Sequence, residues 1–433
     1  MDALALRTRA IPWGSEMTDP LPFLRRWFDR AVEVADPMQR LAPYLPERPE
    51  GRLVVIGAGK ASARMAEAVE AVYGPCEGLV ITRYGYARPC EGIEIVEAAH
   101  PVPDEAGMVA TRRMLELLES TGEGDMVLAL ISGGGSALLT APAGEITLDE
   151  KRAMTDALLA SGAPIGDING IRKQVSAVKG GKLAAAAYPA KMLALMISDV
   201  PGDNPGDIAS GPTVGDDGDA TRATATLKQW GVTPPASIAA YLAAGANPLP
   251  PDDERLSRVE NVIYAAPSQS LEAAAEIARA EGVDVRILGD ELEGEAREVA
   301  VAQAQTAVAV QASLAADARP MLLLSGGELT VTRRGDGVGG PNAEFSLALA
   351  IALNGANGIH AIACDTDGVD GAAEVAGAMI GPDTLSTASD DPQTALDRND
   401  AHGFFERNGG QVVTGPTLTN VNDFRAIFIE PRG

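Results

Sequence analysis

Short apolar runs separated by longer stretches of helical period set the rhythm of this chain. Leu53-Val54-Val55-Ile56, Leu79-Val80-Ile81, Ile93-Glu94-Ile95-Val96 and the runs over 126–131 and 192–197 read as strands, several of them apolar on both faces. Between them, residues 63–72 and 104–119 carry apolar positions at helical spacing. Thr147 and Glu150 have the spacing of a capping box, opening a helix that runs to about Ser161. A helical run over 168–188 is interrupted at Gly180-Gly181, and on it Arg172, Ser176 and Lys179 share one face. Residues 198–207 hold too many Pro, Gly and Asp residues to be anything but a loop. A first helix covers 21–35, after a loose lead-in up to Met17, and two more cover 220–230 and 237–244.

The polar, proline-rich stretch 247–254 reads as a linker, after which the rhythm starts again. Strands are predicted at 262–264, 285–288, 321–324, 360–364 and 426–429, with a short one at 328–333. Helices are predicted at 271–281, 295–315 and 345–353. Such alternation implies an α/β protein with mostly parallel sheets and helices on both sides, its ligands lying outside the carboxyl ends of strands. Two domains follow, over 20–250 and 255–433, and 433 residues suffice for two cores.

Composition narrows the function. A formal net charge of -25 argues against nucleic acid, because phosphate binding would need a basic face that the chain can hardly spare. The few cations near an anion site must then be local. Three cysteines, Cys76, Cys90 and Cys364, lack metal-type spacing, which points to reduced thiols and a cytoplasmic protein. The first 19 residues hold no apolar core suited to a signal peptide, and no apolar run is long enough to span a bilayer. Only His100, His360 and His402 are available as bases, and none neighbours a serine elbow, so a Ser-His-Asp hydrolase is not expected.

The polar loops carry the candidate chemistry. Two buried strands end in Ser132-Gly133-Gly134-Gly135-Ser136 and Ser325-Gly326-Gly327-Glu328, loops whose backbone can approach an anion closely. Either could also be a plain strand-to-helix turn. Gly57-Ala58-Gly59-Lys60-Ala61-Ser62 follows the first strand but is neither a dinucleotide fingerprint nor a Walker A loop, since Ser62 replaces the third glycine. Lys60 is either a solvated surface lysine or one that neutralises a transferring phosphoryl group. Arg172, Lys173, Lys179 and Lys182 form a basic island, either solvated or, through Arg172, gripping a substrate carboxylate. Asp199, Asp203 and Asp207 suit Mg²⁺, or else an Asp-rich turn, and residues 364–371 repeat the theme without EF-hand spacing. The glycine-dense stretch 335–342 is either a phosphate-covering flap or a flexible hairpin end.

Taken in order, these loops resemble the class II glycerate kinase family, the glycerate 2-kinases of MOFRL type. The resemblance is carried by residues 57–61, 100–104, 132–139, 172–184, 198–203, 210–213, 325–328, 366–371 and 414–423, nearly the whole chain. It implies ATP-dependent phosphorylation of D-glycerate to 2-phosphoglycerate with Mg²⁺. It also implies a larger Rossmann-like N-terminal domain, a smaller C-terminal α/β domain, and an active site in the cleft between them. On this resemblance, Lys60 balances charge on the γ-phosphoryl group and Asp203 accepts the proton of the attacking hydroxyl. Arg172, Ser132, Ser136 and Lys179 take the substrate. Gly57, Gly59, Gly133, Gly134, Gly135, Gly326, Gly327, Glu328 and Asn342 line the nucleotide, while Asp199 and Asp367 hold the metal. The chain departs from the pattern at Pro341, where the family often has arginine; Arg333, Arg334 or Arg172 would have to replace its charge. The assembly is left open, a homodimer included. The rivals are a nicotinamide-dependent hydroxypyruvate reductase and a non-catalytic binder of sugar acids or nucleotides.

Overall fold

The computed structural model describes residues 19–245 and 248–432; the lead-in before residue 19 and Asn247 lie outside the described residues. Its contacts divide the chain into two units. Among the described residues, one holds 36–266 with 418–420, and the other holds 19–35, 267–417 and 421–432.

The first unit is built on six parallel strands: β1 (Leu53–Ala58), β2 (Glu77–Arg83), β3 (Ile93–Ala98), β4 (Met126–Ile131), β5 (Lys191–Ile197) and β6 (Val259–Ala265). Their order, β3-β2-β1-β4-β5-β6, is that of a doubly wound sheet, in which the direction of winding reverses between β1 and β4. β1 is buried along its whole length and β4 nearly so, as parallel strands covered by helices on both faces must be. The capping box forms as expected, with Thr147 Oγ1 accepting from the Glu150 amide at 3.2 Å and Glu150 Oε2 from the Thr147 amide at 2.9 Å. A small helical core of Met154, Leu158, Ile168, Ile171, Val175 and Leu227 sits apart from the core that flanks the sheet.

Two expectations change. The helix Ile165–Gln174 stops before Ser176, and a separate helix, Lys182–Ala187, follows. The Ser176 hydroxyl takes the amide protons of Val178 and Lys179, both at 3.2 Å, so the backbone turns there. Arg172 and Lys179 therefore do not share a helix face. The proline-rich stretch after Asn247 is also no free linker. Leu249 donates to Gly180 O at 3.1 Å and accepts from the Asp216 amide at 2.7 Å, strapping the chain to the first unit, and β6 beyond it pairs with β5. The contacts accordingly divide the chain at 266/267.

The second unit carries β7 (Asp284–Gly289), β8 (Gly294–Glu295), β9 (Met321–Ser325), β10 (Leu329–Thr330), β11 (Ile359–Asp365), β12 (Gly377–Ile380), β13 (Gln411–Val412) and β14 (Asp423–Ile429). Its main sheet runs β13-β12-β11-β14-β9-β7, and only β7 and β9 are parallel. The mostly parallel sheet expected here is mixed because β14 inserts between β9 and β11, antiparallel to both, and β12 returns antiparallel to β11. The helix Leu21–Glu33 packs in this unit: Phe23, Leu24, Trp27 and Phe28 share a core with Phe424 and Phe428. Trp27 Nε1 donates to Glu281 Oε2 at 2.8 Å.

Candidate functional site

The loops after β1 and β4 meet at the point where the winding reverses, the usual ligand position of such sheets. Lys60 N donates to Gly133 O at 2.8 Å, and Ala61 N donates to Ser132 Oγ at 3.0 Å. Ser132 is fully buried, so its hydroxyl stitches the two loops together. Gly134 has φ 80° and sits between His100 and Lys60, where a Cβ would be 3.1 Å from the imidazole and 3.2 Å from Lys60 Cγ. Gly133 lies against Asp199: a Cβ there would be 2.1 Å from Asp199 Oδ2, which also accepts from Asn420 Nδ2 at 3.0 Å.

Beside Gly134 opens a cavity of about 260 Å³, lined by His100, Ser136, Thr140, Lys151, Arg172 and Lys179 among others. Lys179 is fully buried, and its ammonium donates to the carbonyls of Ser136 (2.9 Å), Leu139 (3.3 Å) and Ala209 (3.3 Å). Lys151 is 5% exposed, with Nζ 2.8 Å from Thr140 Oγ1. Arg172 touches Asn169 Oδ1 at 3.4 Å. Among the described residues no carboxylate offsets the charge of any of the three. Burial, then repulsion from Arg172, pulls Lys151 down to about 8. Burial followed by repulsion from Lys151 and Arg172 holds Lys179 well below its ordinary range, and burial alone lowers Arg172. A chain of net charge -25 has thus gathered three mutually repelling cations around one cavity, an arrangement that an anionic ligand would relieve.

The strand-end loop after β5 approaches from the side. Ser136 Oγ is 2.8 Å from Ser210 Oγ, which donates to Asn169 Oδ1 at 3.3 Å. Ala209, Ser210 and Gly211 are consecutively left-handed, with φ 52°, 63° and 62°. Two non-glycine residues in that region store strain of the sort found at ligand clamps. Asp203 is left-handed as well (φ 49°), does not line the cavity, and keeps a buried Oδ1 that finds no hydrogen-bond partner among the described residues.

In the second unit, the Ser325-Gly326-Gly327 loop is held by Arg425. This guanidinium, buried in β14, donates to the carbonyls of Gly326 and Gly327 and pairs with Asp423 at 3.0 Å. Asn342 is fully buried: its Nδ2 donates to Asp423 Oδ1 at 2.7 Å, and its amide donates to Asp370 Oδ1 at 3.0 Å. His402 Nε2 lies 2.9 Å from the other Asp370 oxygen. Burial pushes Asp423 up to about 6 despite Arg425. The glycine stretch before Pro341 is pinned, since the amides of Arg334 and Gly335 both donate to Asn399 Oδ1. Asp367 is buried, and its Oδ1 accepts from the Val369 amide at 2.8 Å. Among the described residues no three His, Cys, Asp or Glu side chains gather as a metal centre.

Residues 23–243 match a family described as a domain of unknown function (DUF4147), and residues 321–423 match the MOFRL family. The D-glycerate 2-kinase of Thermotoga maritima is 37% identical over 91% of this chain and 94% of its own. The chain belongs to the class II glycerate kinase family. A protein of Agrobacterium vitis named "Putative hydroxypyruvate reductase" is 51% identical over 94% of both chains. The crystal structure of the Thermotoga maritima glycerate kinase superposes with a TM-score of 0.83 at 35% identity, covering 94% of this chain and 99% of that one.

Within this glycerate kinase fold, Lys60, Gly134, Ser136, Arg172 and Lys179 come together at one end of the parallel sheet, with Gly133 and Asp199 alongside. Gly57 lies within β1, where a Cβ would sit 2.5 Å from Leu130 O, and Gly59 and Gly135 pack between the two loops. Lys151 and Arg425 were not anticipated, and Asp370 and Asp423 were anticipated only as members of the stretches 364–371 and 414–423. Lys151 did leave a trace: with Met154 and Leu158 it occupies the buried stripe of the helix Leu148–Ala160, where a lysine is out of place unless its charge has a use.

Proposed function

We propose that this chain transfers the γ-phosphoryl group of ATP to the 2-hydroxyl of D-glycerate, giving 2-phosphoglycerate. The observation that carries the reading is the set of three carboxylate-free cations beside Lys60 and the glycine loop. Phosphoryl transfer asks a protein chiefly for positioning and charge stabilisation. Arg172 offers a planar fork to the glycerate carboxylate. Lys179, fixed by three carbonyls, sets the charge of the cavity floor and holds the Ser136 turn in place. Lys60 balances charge developing on the transferring group, and Ser132 acts indirectly by tying its loop to the β4 loop. Asp203, on the loop after β5, is the proposed acceptor of the hydroxyl proton.

Mg²⁺ suits the chemistry of these loops, because it keeps most of its waters and needs only one or two protein carboxylates. Asp199 is the residue of the first unit proposed to hold it. When bound it neutralises phosphate oxygens. Within the second unit, Gly326, Gly327, Glu328, Asn342 and Asp367 are the residues proposed for nucleotide and metal binding, with Arg425 keeping the glycine loop in position.

The name borne by the Agrobacterium vitis relative makes reduction of hydroxypyruvate the alternative to test. Two features of the first unit favour the kinase: Ser62 stands at the third glycine position of a dinucleotide fingerprint, and β2 ends in Thr82-Arg83 rather than in an acid for the ribose. ³¹P NMR of a reaction of ATP, Mg²⁺ and D-glycerate should show a phosphate ester on the secondary hydroxyl. Nicotinamide oxidation with hydroxypyruvate, and no ADP with glycerate, would overturn the assignment.

A further inference from the structure

The cavity beside Gly134 carries more positive charge than a monocarboxylate can balance. Glycerate brings one negative charge, whereas Lys151 and Arg172 alone bring two positive ones at neutral pH, with the buried Lys179 beside them. The other ionisable groups on the lining are His100 across the cavity and, on the same helix as Lys151, Arg152 and the exposed Asp156. Arg152 donates to Pro103 O and pairs with Asp149. Among the described residues the Lys151 ammonium has one acceptor, the Thr140 hydroxyl, out of three bonds it can make. A phosphate monoester adds roughly one and a half to two negative charges at neutral pH, with three acceptor oxygens.

We infer that this cavity holds a phosphorylated 2-hydroxy acid more tightly than the unphosphorylated acid, and that Lys151 is the residue that reads the added charge. The inference rests on the proposed reaction only in identifying which phosphorylated acid is meant. It makes Lys151 a binding residue.

Titration calorimetry on the nucleotide-free protein at pH 7 and fixed salt, with 2-phosphoglycerate and D-glycerate as probes, tests it. The phosphorylated acid should bind at least about tenfold more tightly. Lys151→Met should lose about tenfold for 2-phosphoglycerate and less than about threefold for glycerate, and Lys151→Arg should restore the difference. Equal affinities in the wild type, or equal losses for both ligands in Lys151→Met, would overturn the inference, because a residue acting only on structure weakens both alike. Should the variants fail to fold, the wild type decides alone: its preference for the phosphorylated acid should shrink severalfold between pH 7 and 9.5 as Lys151 loses its proton, and a constant preference refutes the inference. A separate assay for ADP release shows whether the kinase reading has failed, since the calorimetry does not depend on turnover.

Discussion

Replacing Lys151 with methionine should stabilise the ligand-free protein at neutral pH. The Lys151 ammonium is pulled from 10.5 to about 8 in the folded chain, which at 1.36 kcal/mol per pKa unit amounts to about 3 kcal/mol. That is the cost of keeping the charge buried below pH 8, where both folded and unfolded chains are protonated. Methionine fills nearly the same volume without it and forfeits the Thr140 hydrogen bond, worth about 1 kcal/mol, so a net gain of about 2 kcal/mol remains. For a unit of this size the midpoint of thermal unfolding should rise by about 4–8 °C. The sign with pH follows from proton counts. Between pH 8 and 10.5 the unfolded wild type holds the proton that the folded one has released, so wild-type stability rises with pH and the gap to the variant closes. Scanning calorimetry in buffers free of phosphate and sulfate, at steps from pH 7 to 10.5, measures this directly. A variant less stable than wild type by a constant amount at every pH would refute the reasoning, because it would mean that the Lys151 charge is already compensated.

Other substitutions probe the remaining parts. Lys60→Met should lower turnover by more than about a hundredfold with unfolding unchanged, as loss of a preorganised charge does; near-normal turnover removes Lys60 from the chemistry. Gly133→Ala places a methyl group 2.1 Å from Asp199 Oδ2 and 2.2 Å from Asn420 Nδ2, so it should cost about 1–3 kcal/mol in urea unfolding and depress turnover as well. A fully stable, fully active Gly133→Ala protein would mean that Asp199 is free to move away without consequence. Arg425→Met strands the buried Asp423 and should cost about 3–5 kcal/mol, whereas adding Asp423→Asn should recover much of that loss; equal losses in the single and double variants would deny the pairing.

Strand positions were legible because parallel strands buried on both faces appear as unbroken apolar runs, and β1, β4 and β5 fall where those runs do. The mixed second sheet was not, since an apolar run such as 426–429 carries no sign of its direction or neighbours. Arg172 and Lys179 were identified as candidates through a helical spacing that the structure lacks. They meet because Ser176 turns the backbone and Lys179 reaches the Ser136 carbonyl, which is tertiary information. Lys151 was passed over because the charged run around it resembles a solvated helix face, although its register with Met154 and Leu158 marked it as inward. Arg425 and Asp423 stand at the start of an apolar strand, where a buried ion pair and a solvated strand end look alike in sequence.

The helix Leu21–Glu33 belongs to a core whose last member, the strand Asp423–Ile429, is made at the other end of the chain. At ~5–20 residues per second, a ribosome leaves Phe23, Trp27 and Phe28 waiting for about 20–80 s before Phe424 and Phe428 exist to cover them. The parallel-sheet unit, complete but for three residues by Ala266, can fold during that wait. A nascent chain stalled between Ala266 and the final strand therefore carries one nearly finished half and one bare aromatic helix, the form most open to capture by chaperones or to aggregation.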